Sequence, residues 1–316
     1  APPSAPPSPP PTLPPATPPA EPPLAATAAS DVHFTGLRGG KFDVRGDHNK
    51  VYALVSASEF AVNARIEFCT FALHPSDPRS SVIKEVHGSI VSQAYITMHL
   101  SSGYTVRVHY SASKPYFAKL QHFKADEAHS EDVWLGSDSM PRMDFEKSVS
   151  ISLVKASPIA LNVLDGAWNV TCTPGTYRVA DGSTRARIDI NVLPLKAAVA
   201  NPVAPHGLIG QSLHDSVAIK GKIDQYLPNA AGEFTTSAQG EGAIEGNIHD
   251  YEIVGDPFST TFRFSRFGVT KAVLPRETAS LSGEKLLPAN SRLRGSAFGD
   301  ISQDDHALAK NDFGEE

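Results

Sequence analysis

Two cysteines, Cys69 and Cys172, carry the sharpest chemistry in this 316-residue chain. They lie 103 positions apart and admit one disulfide with one connectivity. Closing so long a loop would stabilise the fold by roughly 4–5 kcal/mol in the chain-entropy picture. The alternative is a pair of buried thiols. Cys172 ends the stretch Trp168-Asn169-Val170-Thr171-Cys172, which holds the chain's single N-glycosylation sequon, at Asn169. A sequon beside paired cysteines favours the bridge and an oxidising, extracellular compartment.

Other chemistry-bearing residues point less far. Of 12 histidines, His87, His99, His109, His122 and His129 fall close together, without His-Glu-x-x-His or any other zinc-site spacing. His109 reads as a surface residue, and His33 as a structural one whose ring caps backbone groups at the entry of the first strand. The segment Ala238–Tyr251 is rich in glycine and acid but has no Gly-Lys-Ser/Thr, so it reads as a turn-rich strand at Ala243–Asn247 rather than a phosphate loop. Gly-x-Ser-x-Gly is absent. Carboxylate pairs that cleave glycosides are defined in space rather than in sequence. A secreted hydrolase therefore needs a cleft that gathers carboxylates or histidines. Trp134, Tyr116 and Phe117 are either core residues or an exposed aromatic platform for carbohydrate.

The elements that must position these residues are strands. Val62, Ala64, Ile66 and Phe68 alternate with Asn63, Arg65 and Glu67. Tyr104–Tyr110, Val149–Leu153 and Arg185–Val192 alternate in the same way, and Phe262 and Phe264 flank Arg263. Period-two alternation predicts half-buried strands of an antiparallel sheet. Turns are predicted at Gly39-Gly40, Gly46-Asp47, Ser102-Gly103, Asp165-Gly166 and Asp181-Gly182. A short helix is predicted around Pro115–Asp126. Cys69 continues the polar phase of its strand, which turns it away from that strand's apolar face and towards a loop or layer bearing Cys172. The fold class is all-β and mostly antiparallel, with two packed sheets.

At the ends, composition changes. The first 23 residues hold 13 of the 26 prolines. Proline lacks the N–H and fixes φ, so this tract is an extended polyproline II rod or a plain spacer. The predicted organisation is a stalk at 1–28, a β body at 29–270 and a polar tail at 271–316 that ends acidic. A start at Ala1 rather than methionine is expected of a processed or trimmed form. A net charge of −6 without a Lys/Arg cluster argues against nucleic acid. No apolar run is long enough to span a bilayer.

The run Asp31-Val32-His33-Phe34-Thr35-Gly36 to Lys41-Phe42-Asp43, continued by Lys50–Ser56 and Phe60–Arg65, resembles the opening of a von Willebrand factor type D domain. It is especially similar to the D-like modules of plant root-cap proteins and algal secreted proteins. His206-Gly207-Leu208-Ile209-Gly210-Gln211 resembles that family's Gly-Leu-Cys-Gly segment, with Ile209 in place of the cysteine. The resemblance covers Asp31 to Phe267 and implies that both anchors belong to one β module. It implies a calcium site as well, for which this chain offers Gln211, Asp215 and Asp224. Six to eight oxygen ligands are needed, so the other reading of these residues is a solvated turn, with Gly207 and Gly210 serving backbone geometry. With two cysteines, nothing supports the family's disulfide-linked multimers. Stalk and module together imply a non-catalytic structural or adhesion protein of a cell wall or extracellular matrix, with matrix glycans or proteins as partners. A secreted carbohydrate-binding module is the alternative, and no catalytic residues are assigned.

Overall fold

Strand-forming alternation governs most of the chain. A computed structural model describes residues 25–29, 32–73, 84–124, 132–146, 149–154, 160–179, 182–225 and 232–272, leaving out the side chain of Leu73. All of these fall within one compact unit. Most of the proline-rich stretch, Asp31, Asp181 and the tail beyond residue 272 lie outside the described residues.

The strands are β1 (Ala26–Ala29), β2 (His33–Thr35), β3 (Lys41–Asp43), β4 (Lys50–Ser56), β5 (Phe60–Leu73), β6 (Lys84–His99), β7 (Tyr104–Ser111), β8 (Phe117–Lys124), β9 (Asp132–Gly136), β10 (Arg142–Phe145), β11 (Val149–Val154), β12 (Ala160–Leu164), β13 (Trp168–Arg178), β14 (Thr184–Pro194), β15 (Gly232–Thr235) and β16 (Glu252–Ile253). They form two eight-stranded sheets. The first runs β10-β11-β12-β13-β14-β1-β2-β3. The second runs β16-β4-β5-β6-β7-β8-β9, with β15 added in parallel along Lys84–His87 of β6, where β7 does not reach. Every other pairing between named strands is antiparallel.

The two inner faces share one core. Ile151, Val163, Val170 and Ile190 come from the first sheet, and Val62, Ile96, Val108 and Leu120 from the second. Phe60 and Trp168 stack across the layers with centroids 6.0 Å apart, adding about 0.5–1.5 kcal/mol beyond their burial. The predicted alternation holds in β7, β11 and the second half of β14. The predicted turns form wherever they are described, and Gly103 and Gly166 take the left-handed φ that such turns need.

Several expectations are corrected. β1 begins at Ala26, inside the predicted stalk, because Ala26 and Ala28 are small enough to fit the core while their backbone joins β14 and β2. The helix expected at Pro115–Asp126 is a turn followed by β8, whose Ala118 and Leu120 point into the core two residues apart. Phe262–Phe264 and Ala243–Asn247 are turns and bends rather than strands. Phe262 and Phe264 still pack against the core, with Phe264 on His206 and both on Tyr251. Asn63, read as solvent-facing, is buried. The segment after β16 crosses that face, and the Asn63 amide donates to the Pro257 and Ser259 carbonyls.

The two anchors lie in one module, and the residues just after the second bond to the first. The Leu37 N–H donates to Ser212 Oγ at 2.8 Å, and Arg38 Nε donates to the Leu213 carbonyl at 3.1 Å. His206, Leu208 and Ile209 bond to the backbone of β4. Gly207 sits at φ +104 against Leu54, where an added Cβ would lie 2.5 Å from the Leu54 carbonyl oxygen. Its glycine is therefore a packing requirement.

Candidate functional site

The β8–β9 hairpin ends the second sheet. Inward alternation of Ala118, Leu120 and Leu135 forces Phe117 and Trp134 to the outer surface. Register places Phe117 opposite Gly136 and Trp134 opposite Lys119, so the two rings are diagonal neighbours on one face. Gly136 leaves the Phe117 ring uncrowded, since a Cβ there would lie 3.4 Å from it. Tyr116 joins them from the β7–β8 turn. That turn is fixed by the Phe117 N–H donating to Lys114 O, the Tyr110 hydroxyl donating to Pro115 O and the Ser137 N–H donating to Tyr116 O, each at 3.1 Å. The ion pair of Lys119 with Asp132, at 2.8 Å, and the bond from Gln121 to the same carboxylate tie the two strands together.

The outcome is an open groove of 580 Å³ lined by Ser113, Lys114, Pro115, Tyr116, Phe117 and Trp134. Tyr116, Phe117 and Trp134 are 55%, 49% and 53% exposed. All three are therefore surface residues and not core residues. Three large rings held in water on the β8–β9 hairpin and the turn before it form the kind of patch that marks a contact surface.

The cysteines are a correction. Both are buried and they are not joined. Cys69 does face away from the core side of β5, as its phase predicted, but there it packs with Phe71, Val86 and Ile90 in a separate cluster. Cys172 points into the main core, close to Tyr110, and burial pushes its thiol up to about 12. The sequon lies in β13, between β12 and β14 in the middle of a sheet. Asn169 Oδ1 is buried there, and the Thr171 hydroxyl donates to Asn162.

The residues offered for calcium have other work. The Gln211 amide donates to Gly207 O and the Tyr251 hydroxyl, and its oxygen accepts from the Glu245 N–H. It thereby ties the second anchor to the loop ahead of Tyr251. The Asp224 carboxylate accepts from the Ser237 and Ala238 N–H groups. Asp215 is buried. Among the described residues, no group of three His, Cys, Asp or Glu side chains is placed to hold a metal ion. His33 Nδ1 meets Asp43 Oδ1 at 2.6 Å, which ties β2 to β3. His109 stacks on Tyr95 and bonds Gln93, and burial lowers its pKa.

A cleft at one end of the sandwich gathers Glu59, His99, Glu146 and Asp165, which no sequence spacing signalled. Its volume is 160 Å³, below the roughly 300–1,000 Å³ of ligand pockets. Two of its carboxylates hold backbone. Glu146 accepts from the Ser101 hydroxyl and the Ser102 N–H, which draws its pKa down to about 2. Asp165 accepts from the Ala167 and Trp168 N–H groups. Burial nevertheless pushes Asp165 up to about 6, with nearby Glu59 adding repulsion.

No family model matches the chain, and no curated protein is similar to it.

Proposed function

We propose that the β body is the non-catalytic binding head of an extracellular wall or matrix protein, and that it engages carbohydrate through the Tyr116–Phe117–Trp134 face. The observation that carries this reading is the groove itself. Its exposed rings offer flat apolar surfaces to the C–H faces of pyranose rings, and Lys114, Ser113 and the Tyr116 hydroxyl supply polar groups beside them. The proline-rich segment supports an extracellular setting by its composition. Contact of Leu37-Arg38 in the first anchor with Ser212-Leu213, which directly follow the second, supports a divergent von Willebrand type D-like module, since the two anchors come from opposite ends of that pattern.

Sedimentation with insoluble polysaccharides tests the proposal. The wild type is expected to bind at least one of them. Trp134→Ala is expected to weaken binding roughly tenfold or more, as truncation of a central aromatic contact does. Its circular dichroism should be unchanged because the ring is outside the core. Equal binding by wild type and a Tyr116→Ala/Trp134→Ala double variant would remove the face from the function. Glycan-inert protein that self-associates through these rings would replace carbohydrate with a protein partner.

A further inference from the structure

A second cavity, of 380 Å³, lies on another part of the surface and is lined by Arg45, Phe68, Cys69, Thr70, His87, Gly88 and Thr235. None of its lining residues is acidic. The Arg45 guanidinium lies 4.3 Å from the centroid of the Phe68 ring, and its buried Nε–H has no acceptor. A buried donor left unmade is costly and calls for a partner. Three other arginines whose Nε is likewise buried have partners for the rest of the group: Arg107 pairs with Asp256, Arg187 with Asp189, and Arg266 with the Phe264 and Ser265 carbonyls, while Arg65 lies over Tyr95 much as Arg45 lies over Phe68. Among the described residues, no carboxylate or carbonyl is recorded on the Arg45 guanidinium.

The position of Arg45 is built rather than incidental. Its N–H donates to Ala238 O at 2.7 Å, and its carbonyl accepts from the Ser89 hydroxyl at 2.7 Å. His48 accepts from the Phe68 N–H and its ring lies 5.4 Å from the Phe68 ring, which fixes the platform under the guanidinium. On the cavity wall, His87 Nδ1 is bonded to Thr70 Oγ1 at 2.9 Å. Its Nε2 lies 3.7 Å from the carboxylate of Glu233, which is itself well exposed.

We infer that this cavity is an oxyanion site, which takes a carboxylate or sulfate group on the Arg45 fork with His87 and the Thr70 and Thr235 hydroxyls around it. Guanidinium suits planar or tetrahedral oxyanions, and stacking on Phe68 holds it ready without a protein counter-charge. Glu233, whose carboxylate lies beside His87, acts as a competitor for the bound anion. The site is separate from the aromatic face and does not depend on what that face binds.

Thermal unfolding of the full chain in sodium sulfate, sodium glucuronate and sodium chloride at equal ionic strength tests this. Sulfate, glucuronate or both are expected to raise the melting temperature above the chloride value, because a ligand selective for the folded state stabilises it. Sulfate strengthens burial in any protein, so the oxyanion is identified as the one whose shift falls in the Arg45 variants. Arg45→Lys keeps the stem and the charge but loses the fork, and is expected to weaken binding about tenfold. Glu233→Gln is expected to tighten it about twofold to threefold. Arg45→Gln should abolish the site-specific part of the shift, and Arg45→Lys guards against a folding defect in that variant. The same melting temperature in all three salts, or an undiminished shift in Arg45→Lys and Arg45→Gln, overturns the inference.

Discussion

Asp165 sets up the clearest pH dependence in the molecule. Its folded-state pKa of about 6 stands above the ordinary aspartate value of 3.8, so the folded protein holds the proton more tightly than the unfolded chain. The stability this provides is full below the unfolded pKa and is lost as pH rises through 6. The shift corresponds to at most about 3 kcal/mol, less the screening that a half-buried carboxyl receives. Asp165→Asn keeps an oxygen for the Ala167 and Trp168 N–H groups and has no charge to desolvate. Urea unfolding is expected to show a gain of about 1–3 kcal/mol at pH 8 and little at pH 3.5. An equal difference at both values contradicts the assignment. Cys172 gives a second residue-scale test. With its thiol pushed up to about 12 and its side chain in the core, it should resist alkylation until the protein unfolds. Reductant should leave the melting temperature unchanged, and a fall would restore the predicted bridge. The phase of Cys69 was legible in its strand. Most of its packing partners were not, because apart from Phe71 they come from β6, β13 and β15.

Among the elements, the short stretch Gly210–Ser212 joins the two anchors. The Ser212 hydroxyl accepts from the Leu37 N–H and donates to the Ile209 carbonyl, all of it buried. Ser212→Ala leaves that N–H without a partner and is expected to cost about 1–3 kcal/mol, measured by chemical denaturation. No loss would mean that the anchors touch without depending on each other. Alternation revealed β7, β11 and β14 because one face of each meets the core and the other meets water. It failed for β1, whose small residues carry little hydrophobic signal, and for Asn63, which a later segment covers. β8 was misread as a helix because Pro115 and the mixed residues after it hide a short strand. The aromatic residues were picked out by type. Their joint exposure depends on strand register, Phe117 opposite Gly136 and Trp134 opposite Lys119, which no local pattern encodes. The Arg45 cavity left no signal at all, since its walls come from Arg45, β5, β6 and β15.

As a whole, the molecule buries one continuous core between two sheets and turns one set of large rings outward. No helix among the described residues is long and apolar enough to cross a membrane. The chain has two tryptophans, and they divide between these roles: Trp168 is 2% exposed in the core and Trp134 is 53% exposed on the hairpin. Emission from Trp134 thus reports on the candidate face while Trp168 serves as an internal reference. Titration of the full chain with soluble oligosaccharides from a polysaccharide that it sediments is the most direct test. The account expects a saturable blue shift and intensity change that Trp134→Phe abolishes and Trp168→Phe retains. Binding that saturates without changing Trp134 emission would contradict it.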